Sequence, residues 1–471
     1  MINLHIFITL SSLLFLSCQT RHLDEPPTTD SNIPKSWATK INESPSDTNQ
    51  TFWAESFNIP SLTELIAQSL KKNPDLISLS ELTIVTGEDA TIAGTKLIPT
   101  ANAELTGSRT KRNLIGFNFP DSSTSFTTNS FSSGINISWE LDLWGKIKDS
   151  HSSSLKRFNA TLADLRAARL SLSGQVAKAW FAALENSLQI KLTQKTVITF
   201  AQNRSFIDER YRKGLATALE QKLAEASYQS SLSILAQRER LRNQLAQSIQ
   251  LLTGEYPSGE LDFNASQNLP DLQLPQLPPT PSKVIQSRHD LTAAFLSLEA
   301  AGLDLKIAKK NLLPSFTLMG GPGSRAESIK DLLDEKYRVW DISGGISQPI
   351  FQAGRLKAGI RKAKAMQNSA LANLKTVTLR AFSEVEDSLN SDLFLAKEEN
   401  SLEAVSQALS EAAEISWERY QKGVIAIFDT LDTQRRSFDA QSRLLQLKKD
   451  RVFNRINLYL AIGMDAIPNE S

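Results

Sequence analysis

The sequence predicts a mostly helical fold with a small β part, built from two copies of one unit. Two stretches, Lys146–Tyr211 and Arg355–Tyr420, each contain one glycine and no proline, as long helices require. Apolar and polar side chains alternate over residues 135–143, which is the pattern of a strand. Two Tyr-x-x-Gly turns lie 209 positions apart, at Gly214 and Gly423, and this spacing indicates an internal duplication.

The duplication extends beyond the two turns. The same offset of 209 positions relates Gly145 to Gly354 and Gly254 to Gly463 without a gap. Four upstream pairs lie 215 positions apart: Asp75 and Asp290, Gly87 and Gly302, Ala93 and Ala308, and Pro99 and Pro314. The insertions that change the offset therefore fall between the upstream pairs and Gly145, where we predict strands.

Each unit repeats one order of elements: short helices, a strand hairpin and a long helical hairpin. The predicted ranges in the first unit are 60–254 overall, about 99–143 for the strands and 146–254 for the helical hairpin. Those in the second unit are 279–463 overall, about 314–352 for the strands and 354–463 for the helical hairpin. A proline-rich linker, 255–278, joins the units, and 464–471 forms a C-terminal tail.

The N-terminus predicts a signal peptide, 1–17, followed by a lipid anchor. Ile2–Ser17 is uncharged and apolar, but it is too short to span a membrane comfortably. Leu14–Cys18 resembles the bacterial lipobox, whose cysteine is acylated after cleavage, and the resemblance implies that Cys18 becomes the lipidated first residue. Phe15 departs from the usual leucine and no Lys or Arg precedes the apolar run, so a coincidental cysteine is the alternative.

The residues after the cysteine predict a tether and then two short helices. We expect a lipid-anchored tether over 18–59, because Gln19–Thr51 is polar with four prolines and few apolar residues, which favours a poorly structured segment. Ser61 and Glu64 have the spacing of a capping box at the start of the first helix. The second helix is expected from about Asp75 to Leu97, ended by Pro99.

Four strands are expected, two in each unit. Their alternating apolar side chains are Ile135, Ile137, Trp139, Leu141 and Leu143 in the first unit, and Ile342, Ile346 and Ile350 in the second. Gly320–Gly323 is interpreted as a link between strands and not as a phosphate-binding loop, because no helix follows it. Four strands cannot close a barrel alone, since the smallest spanning barrels use about eight. A small soluble sheet with one wet face therefore remains an alternative.

The predicted long helices exceed what a compact domain needs. A helix of about 65 residues reaches about 100 Å, which suits a rod or tube that spans a compartment. The net charge of +1 argues against a nucleic-acid partner, and the four histidines and one cysteine show no metal-ligand spacing. The sequence contains no nucleotide-binding loop and no Ser-His-Asp arrangement, so we expect no metal, no cofactor and no enzymatic activity.

Several motifs point to a known family: Asn73–Leu76, Trp139–Lys146, Ala353–Arg355 and the two Tyr-x-x-Gly turns. Together they resemble the TolC-like outer-membrane efflux protein family, and the run from Trp139 to Gly145 resembles its lipoprotein branch, which serves resistance-nodulation-division pumps. The resemblance implies a homotrimer whose four strands per subunit close a twelve-stranded β-barrel in the outer membrane, with the helices continuing as a trimeric α-barrel across the periplasm. It also implies a periplasmic adaptor (membrane fusion) protein, an inner-membrane pump and outer-membrane lipid as partners.

The resemblance also implies a channel entrance at the second turn. Asp429 and Asp432 match acidic residues around that entrance, and rings of carboxylates in a trimer would favour cations. The alternative is that they are solvated acids near a helix N-terminus. Tyr420 matches a tyrosine that bonds an acid after the first turn, which is Glu220 here. TolC has an arginine two positions after the second glycine; Ile425 occupies that position here, so closure is expected to depend more on packing.

The turn residues themselves match the family's adaptor-docking surface. Their small and apolar side chains suit the close approach of another helix pair: Gly214, Leu215, Ala216, Gly423, Val424 and Ile425. The implied function is a passive exit duct that exports small molecules such as drugs. The alternatives are a type I protein-secretion channel and a coiled-coil lipoprotein without a pore. The alternating strands argue against the coiled-coil lipoprotein, because a spacer has no need of them.

Overall fold

The computed structural model describes residues 34–39, 52–113, 125–260, 268–275 and 278–468, so Cys18 and the predicted signal peptide lie outside the described residues. The described helices are α1 (Pro60–Lys72), α2 (Pro74–Thr95), α3 (Lys146–Arg212), α4 (Ala218–Leu252), α5 (Pro281–Ser287), α6 (His289–Lys310), α7 (Arg355–Gln421) and α8 (Ile427–Ala461). The described strands are β1 (Thr100–Asn113), β2 (Ser125–Leu141), β3 (Ser315–Ala326) and β4 (Arg338–Ser347). Short 3₁₀ helices span Trp53–Phe57, Ile329–Leu333 and Glu335–Tyr337.

Two helical hairpins of equal dimensions dominate the molecule. Helices α3 and α7 both have 67 residues, and α4 and α8 both have 35. At 1.5 Å per residue the long helices extend about 100 Å and the shorter ones about 50 Å. Gly214 (φ 73°) and Gly423 (φ 76°) end the long helices in the left-handed conformation that glycine adopts at low cost. The matched lengths and turns confirm the internal duplication. Within the described ranges, no helix is both long and apolar enough to cross a membrane.

The shorter helix of each hairpin meets a helix from the start of its own unit. The Asn73 side-chain amide donates to the Leu252 carbonyl at 3.1 Å, at the end of α4. The Asn73 side-chain oxygen accepts from the Leu76 amide at 3.0 Å, at the start of α2. In the second unit Arg288 takes the place of Asn73 and donates to the Ala461 carbonyl, at the end of α8, at 2.9 Å. These bonds satisfy helix-end groups that would otherwise need other partners.

Buried charges hold the second hairpin together. The nearly buried Arg288 pairs with Glu384 of α7 at 2.7 Å, which connects α7 to the junction of α6 and α8. Farther along the hairpin, the guanidinium of Arg455 (α8) lies 3.4 Å from the fully buried Asp392 (α7). The same guanidinium donates to the carbonyl of Gln273 at 2.6 Å, so the linker is fixed against α8. A buried charge needs such a partner, because removing it from water is costly.

Part of the predicted tether belongs to the folded core. Trp53 and Phe57 are buried in the main apolar cluster, where Phe57 meets Phe181 edge-on and Trp53 stacks on Tyr459. The ring centroids of these two pairs are 5.1 Å and 6.1 Å apart, respectively. The prediction of a tether over 18–59 is wrong here, because burying aromatic side chains outweighs the irregular character of the surrounding sequence.

A second piece of the same stretch, Pro34–Thr39, docks as an N-terminal strap. Trp37 is buried among α5, α7 and α8, and its indole nitrogen donates to the carbonyl of Pro279 at 2.9 Å. The Glu386 carboxylate accepts from two backbone amides, at 2.6 Å and 3.1 Å, and from a hydroxyl at 2.8 Å, all in the two residues after Trp37. The tether prediction is therefore wrong for the strap as well.

The first helix starts differently from the prediction. α1 begins at Pro60 with Ile59 as its N-cap, and no side chain caps it. The predicted capping box of Ser61 and Glu64 is therefore wrong, because both residues already lie inside the helix. Proline at the first helical position is favourable, since the missing N–H would lack a partner there anyway.

The four strands form one antiparallel sheet in the order β1-β2-β3-β4. Its register brings the apolar side chains to one face, with Ala103 opposite Ile135 and Leu318 opposite Trp139. Near the middle of the sheet the other face carries polar side chains, among them Glu104, Thr106, Ser132 and Asn136. Strands β1 and β4 lie at the two edges, and each has one side unpaired within the described residues. The sheet thus has the two-faced character that the alternation predicts.

The glycine run Gly320–Gly323 lies inside β3, so the interpretation as a link between strands is wrong. The ladder between β2 and β3 is interrupted where Ile135–Asn136 faces Gly321–Pro322, although the register is the same on both sides. Proline cannot donate to the ladder. A Cβ on Gly321 would lie 1.8 Å from the carbonyl oxygen of Ile135, so only glycine permits this approach of the two backbones.

We predict that Gly321→Ala prevents normal folding of the sheet, whereas Gly345→Ala does not. The added methyl group at position 321 meets a backbone oxygen that cannot rotate away, and overpacking of this kind costs about 3 kcal/mol or more. Gly345 lies on the same face of the sheet, and a Cβ added there would have no atom within 4 Å. Denaturant unfolding of the detergent-solubilised proteins measures both effects. Equal unfolding midpoints for the two variants would contradict the prediction.

We predict that the N-terminal strap detaches in acid. Burial alone would raise the pKa of Glu386, but the hydrogen bonds from Ala38 and Thr39 outweigh it and hold the pKa below its ordinary value of 4.5. Because the folded-state pKa is depressed, the contact is complete above about pH 4.5 and is lost as the pH falls below that value. A nitroxide at Ser36→Cys, in a Cys18→Ala background, should therefore become mobile in acid. In Glu386→Gln the label should be equally mobile at pH 7 and pH 3. If the label stays immobile at pH 3 in the protein that keeps Glu386, the prediction is wrong.

Candidate functional site

Both Tyr-x-x-Gly turns lie at the same end of the two hairpins and project into solvent. Leu215 is 63% exposed and Val424 is 66% exposed, which is unusual for large apolar side chains. Gly214 and Gly423 have open space where a Cβ would stand. The remaining predicted docking residues, Ala216 and Ile425, are half-buried beside the apolar cluster behind the turns. The six residues thus present small and apolar groups at the end of each hairpin.

An aromatic group behind the turns joins the two hairpins. Phe206 of α3 meets Trp417 and Tyr420 of α7, with ring centroids 5.5 Å and 6.3 Å apart. Trp417 and Tyr420 are 5.9 Å apart. The guanidinium of Arg210 lies 5.9 Å from the Phe206 ring centroid and 5.7 Å from that of Tyr420. We call these four residues the tip cluster.

Tyr420 and Glu220 are neighbours, but no hydrogen bond joins them. The Tyr420 hydroxyl is buried and has no hydrogen-bond partner among the described residues. Burial raises the pKa of Tyr420, and the charge of Glu220 raises it further. The expected bond between these two residues is therefore absent in this structure, and the ring of Tyr420 makes the contacts instead.

Glu220 serves as a helix cap at the start of α4. Its carboxylate accepts from the Thr217 amide at 2.6 Å and the Thr217 hydroxyl at 3.0 Å, while its own amide donates to that hydroxyl at 3.2 Å. This is a capping box, and it satisfies amides at the helix N-terminus. The Thr-x-x-Glu spacing of Thr217 and Glu220 predicts this capping box. The family resemblance assigned Glu220 to a bond with Tyr420 instead.

The two candidate entrance carboxylates have different environments, although both lie in the first two turns of α8. Asp429 is exposed, and its carboxylate forms no ion pair within the described chain. Asp432 pairs with Arg435 at 2.5 Å and Arg436 at 2.7 Å. The hydrogen bond from Arg435 and the charge of Arg436 lower the pKa of Asp432. Sequence reasoning omitted both arginines, although their spacing of three and four residues from Asp432 predicts contact.

A groove of about 830 Å³ runs between α3, α4 and α8 on the side of the tip cluster away from the turns. Phe200, Ile234 and Phe438 contribute apolar lining, whereas Asp432 and Arg435 lie at the polar part of its wall. The paired acid therefore faces a neighbouring cleft between helices. Asp429 does not line this groove.

Known proteins resemble this chain over most of its length. A family model described as "Outer membrane efflux protein" matches residues 65–255 and 280–464. The chain is 27% identical over 466 residues to the pyoverdine export outer membrane protein OpmQ of Pseudomonas putida, covering 98% of this chain and 97% of that protein. It is 25% identical over 415 residues to the probable outer membrane lipoprotein SilC of Salmonella typhimurium, covering 88% of each.

A solved structure shows that the likeness extends to the fold. A membrane protein from Pseudomonas aeruginosa superposes with a TM-score of 0.85 at 26% identity, covering 94% of this chain and 99% of that chain. The family match covers both duplicated units, including the strands, both hairpins and both turns. The chain belongs to the outer membrane efflux protein family.

Proposed function

We propose that three copies of this chain form the outer-membrane exit duct of a tripartite efflux system, through which small molecules leave passively. As a member of the outer membrane efflux protein family, the chain is an efflux channel of the outer membrane. Our proposal adds the number of copies, the route of the exported molecule through them and the partners at the tip. Energy for export comes from the inner-membrane pump, because the duct itself catalyses no reaction.

The observation that carries the proposal is the open, two-faced sheet attached to the long hairpins. A sheet whose edge strands are unpaired can span lipid only if those edges are closed. From Phe131 to Leu141 the apolar face follows β2 for about 33 Å, which corresponds to an apolar band of about 25 Å when the strands tilt as barrel strands do. Three copies supply twelve strands, enough to close a barrel and leave the polar face around a channel.

We further propose that Cys18 is acylated and anchors the N-terminal segment in the outer membrane. The lipobox-like run before Cys18 supports this, and the relative SilC is itself described as a probable lipoprotein. Several acyl chains on one cysteine give a stable anchor, since each buried methylene contributes about 0.8 kcal/mol. The N-terminal strap would then keep the anchored end of the chain close to α7 and α8.

The two turns are the proposed docking surface for a periplasmic adaptor. Their exposed Leu215 and Val424 side chains and their open glycines fit a partner made of helices, because small residues let helices approach closely. The pyoverdine exporter OpmQ is one relative of this chain, and a small exported molecule is the substrate class that we propose here. Large protein substrates are the competing class.

We predict that the purified protein conducts ions as an oligomer in planar bilayers, and that deleting its gene makes the cell more sensitive to small toxic compounds. Secretion of proteins should be unchanged in the deletion strain. Conductance follows from closing the sheet edges between copies, because the polar face then surrounds water. A monomer that stays in the soluble periplasmic fraction and gives no conductance would overturn the proposal.

We predict that Asp429 binds multivalent cations at the channel entrance and that Asp432 does so much less. The carboxylate of Asp429 is free of ion pairs in the described chain, whereas both oxygens of Asp432 are engaged by arginines. Asp429→Asn should weaken block by trivalent cations at least about tenfold, given the strength of a carboxylate–cation contact near a protein surface. Asp432→Asn serves as the matched control. Unchanged block in Asp429→Asn would remove this residue from the entrance.

A further inference from the structure

The duplication supplies an internal comparison for the arginine of the tip cluster. Arg210 and Arg419 occupy equivalent positions, 209 residues apart, each one residue before the tyrosine of its turn. The Arg210 guanidinium lies within 6 Å of two ring centroids. Arg419 is exposed, and its side chain makes no bond, ion pair or ring contact within the described ranges. Only the arginine of the first unit therefore reaches across to the other hairpin.

The tyrosines of the two turns also differ, because only the one in the second turn is buried. Tyr420 is only 4% exposed, whereas its equivalent Tyr211 is 41% exposed. Trp417 extends the aromatic surface around Tyr420, but its equivalent in the first unit is Asp208. The cluster is thus not a general consequence of the Tyr-x-x-Gly turn. It belongs to one seam, between α3 and α7.

We propose that Arg210 is the positioning residue that holds the second hairpin against the first when the channel is closed. This inference rests on the proposed function, because closure has meaning only for a duct. The guanidinium acts on the faces of Phe206 and Tyr420, and the Tyr420 hydroxyl takes no part. Arg210 thus places a cation at the tip from α3. The second turn supplies no cation at the corresponding TolC arginine position, because Ile425 stands there.

The chemistry of the site fits a guanidinium. One Arg210 nitrogen, Nη2, donates to the Leu215 carbonyl at 3.4 Å, which ties the group to the first turn. Its Nε is buried without a hydrogen-bond partner in the described chain, so the two rings near the guanidinium are its main neighbours on the side away from the turn. A planar, weakly hydrated cation stacks on aromatic faces, whereas the ammonium of lysine is compact and strongly hydrated. The charge on arginine is also present at every physiological pH.

Hydrogen–deuterium exchange of the full-length protein in detergent tests the proposal directly. In Arg210→Gln the amides of both turns should exchange about fivefold faster, the factor expected when a partly buried cation–π contact is lost. Arg419→Gln is the matched control and should leave exchange unchanged. Arg210→Lys should fall between the two, which keeps the test valid if the glutamine variant assembles poorly. Equal exchange in the Arg210 and Arg419 variants would overturn the proposal.

Substitutions of Tyr420 separate a ring contact from a hydroxyl bond. Tyr420→Phe keeps the ring and should leave both exchange and closed-state conductance unchanged, whereas Tyr420→Leu should match Arg210→Gln in both measurements. Faster exchange in Tyr420→Phe would show that the hydroxyl holds the seam and would overturn the role given to Arg210. Exchange is read on the folded protein whether or not it conducts. A protein that shows the expected exchange pattern but no conductance would therefore support the Arg210 contact while refuting the duct.

Discussion

The open edges of the sheet are the constraint on which the rest of the structure depends. Strands β1 and β4 each offer one side that is unpaired within the described residues, and the face between them is apolar. Such a sheet is unstable in water and cannot stand alone in lipid, because exposed edges invite pairing and unpaired backbone groups are costly in an apolar setting. Closure by further copies, as proposed above, would satisfy the edges and would make neighbours of the hairpins that follow each strand pair.

The duplication creates an approximate repeat, and the differences between its copies carry the specific properties. At the helix junctions, a neutral Asn73 in the first unit is replaced by a charged Arg288 in the second. At the tip, Arg210 is engaged, whereas Arg419 makes no side-chain contact in the described ranges. Both differences connect the second hairpin to its surroundings through a charged side chain. The first hairpin also contains ion pairs, for example Arg204 of α3 with Glu225 of α4 at 2.5 Å. A buried charge is strongly destabilising when its partner is removed, so the pair of Arg288 and Glu384 depends on both of its residues.

The sequence predicted the features that depend on local patterns and spacing. Long glycine-poor and proline-free stretches predicted helices that prove to be 67 residues each, and the offset of the turns predicted their equality. The errors arose where tertiary contacts decide. Gly320–Gly323 resembles a link, but a neighbouring backbone requires glycine inside a strand there. Trp37 lies among polar residues in the sequence and Trp53 follows a long polar segment, yet both are buried by elements far along the chain. The partners of Asp432 lay within reach of sequence reasoning, whereas the cross-hairpin position of Arg210 did not, because its equivalent Arg419 has the same local sequence.

Native mass spectrometry of the protein, extracted from outer membranes in mild detergent, tests the central claim most directly. If the sheet edges close between copies, the particle contains three chains and stays intact until the sheet unfolds. Monomers that keep a folded sheet, as judged by circular dichroism, would contradict the account, because the edges and the apolar face would then need no other copy.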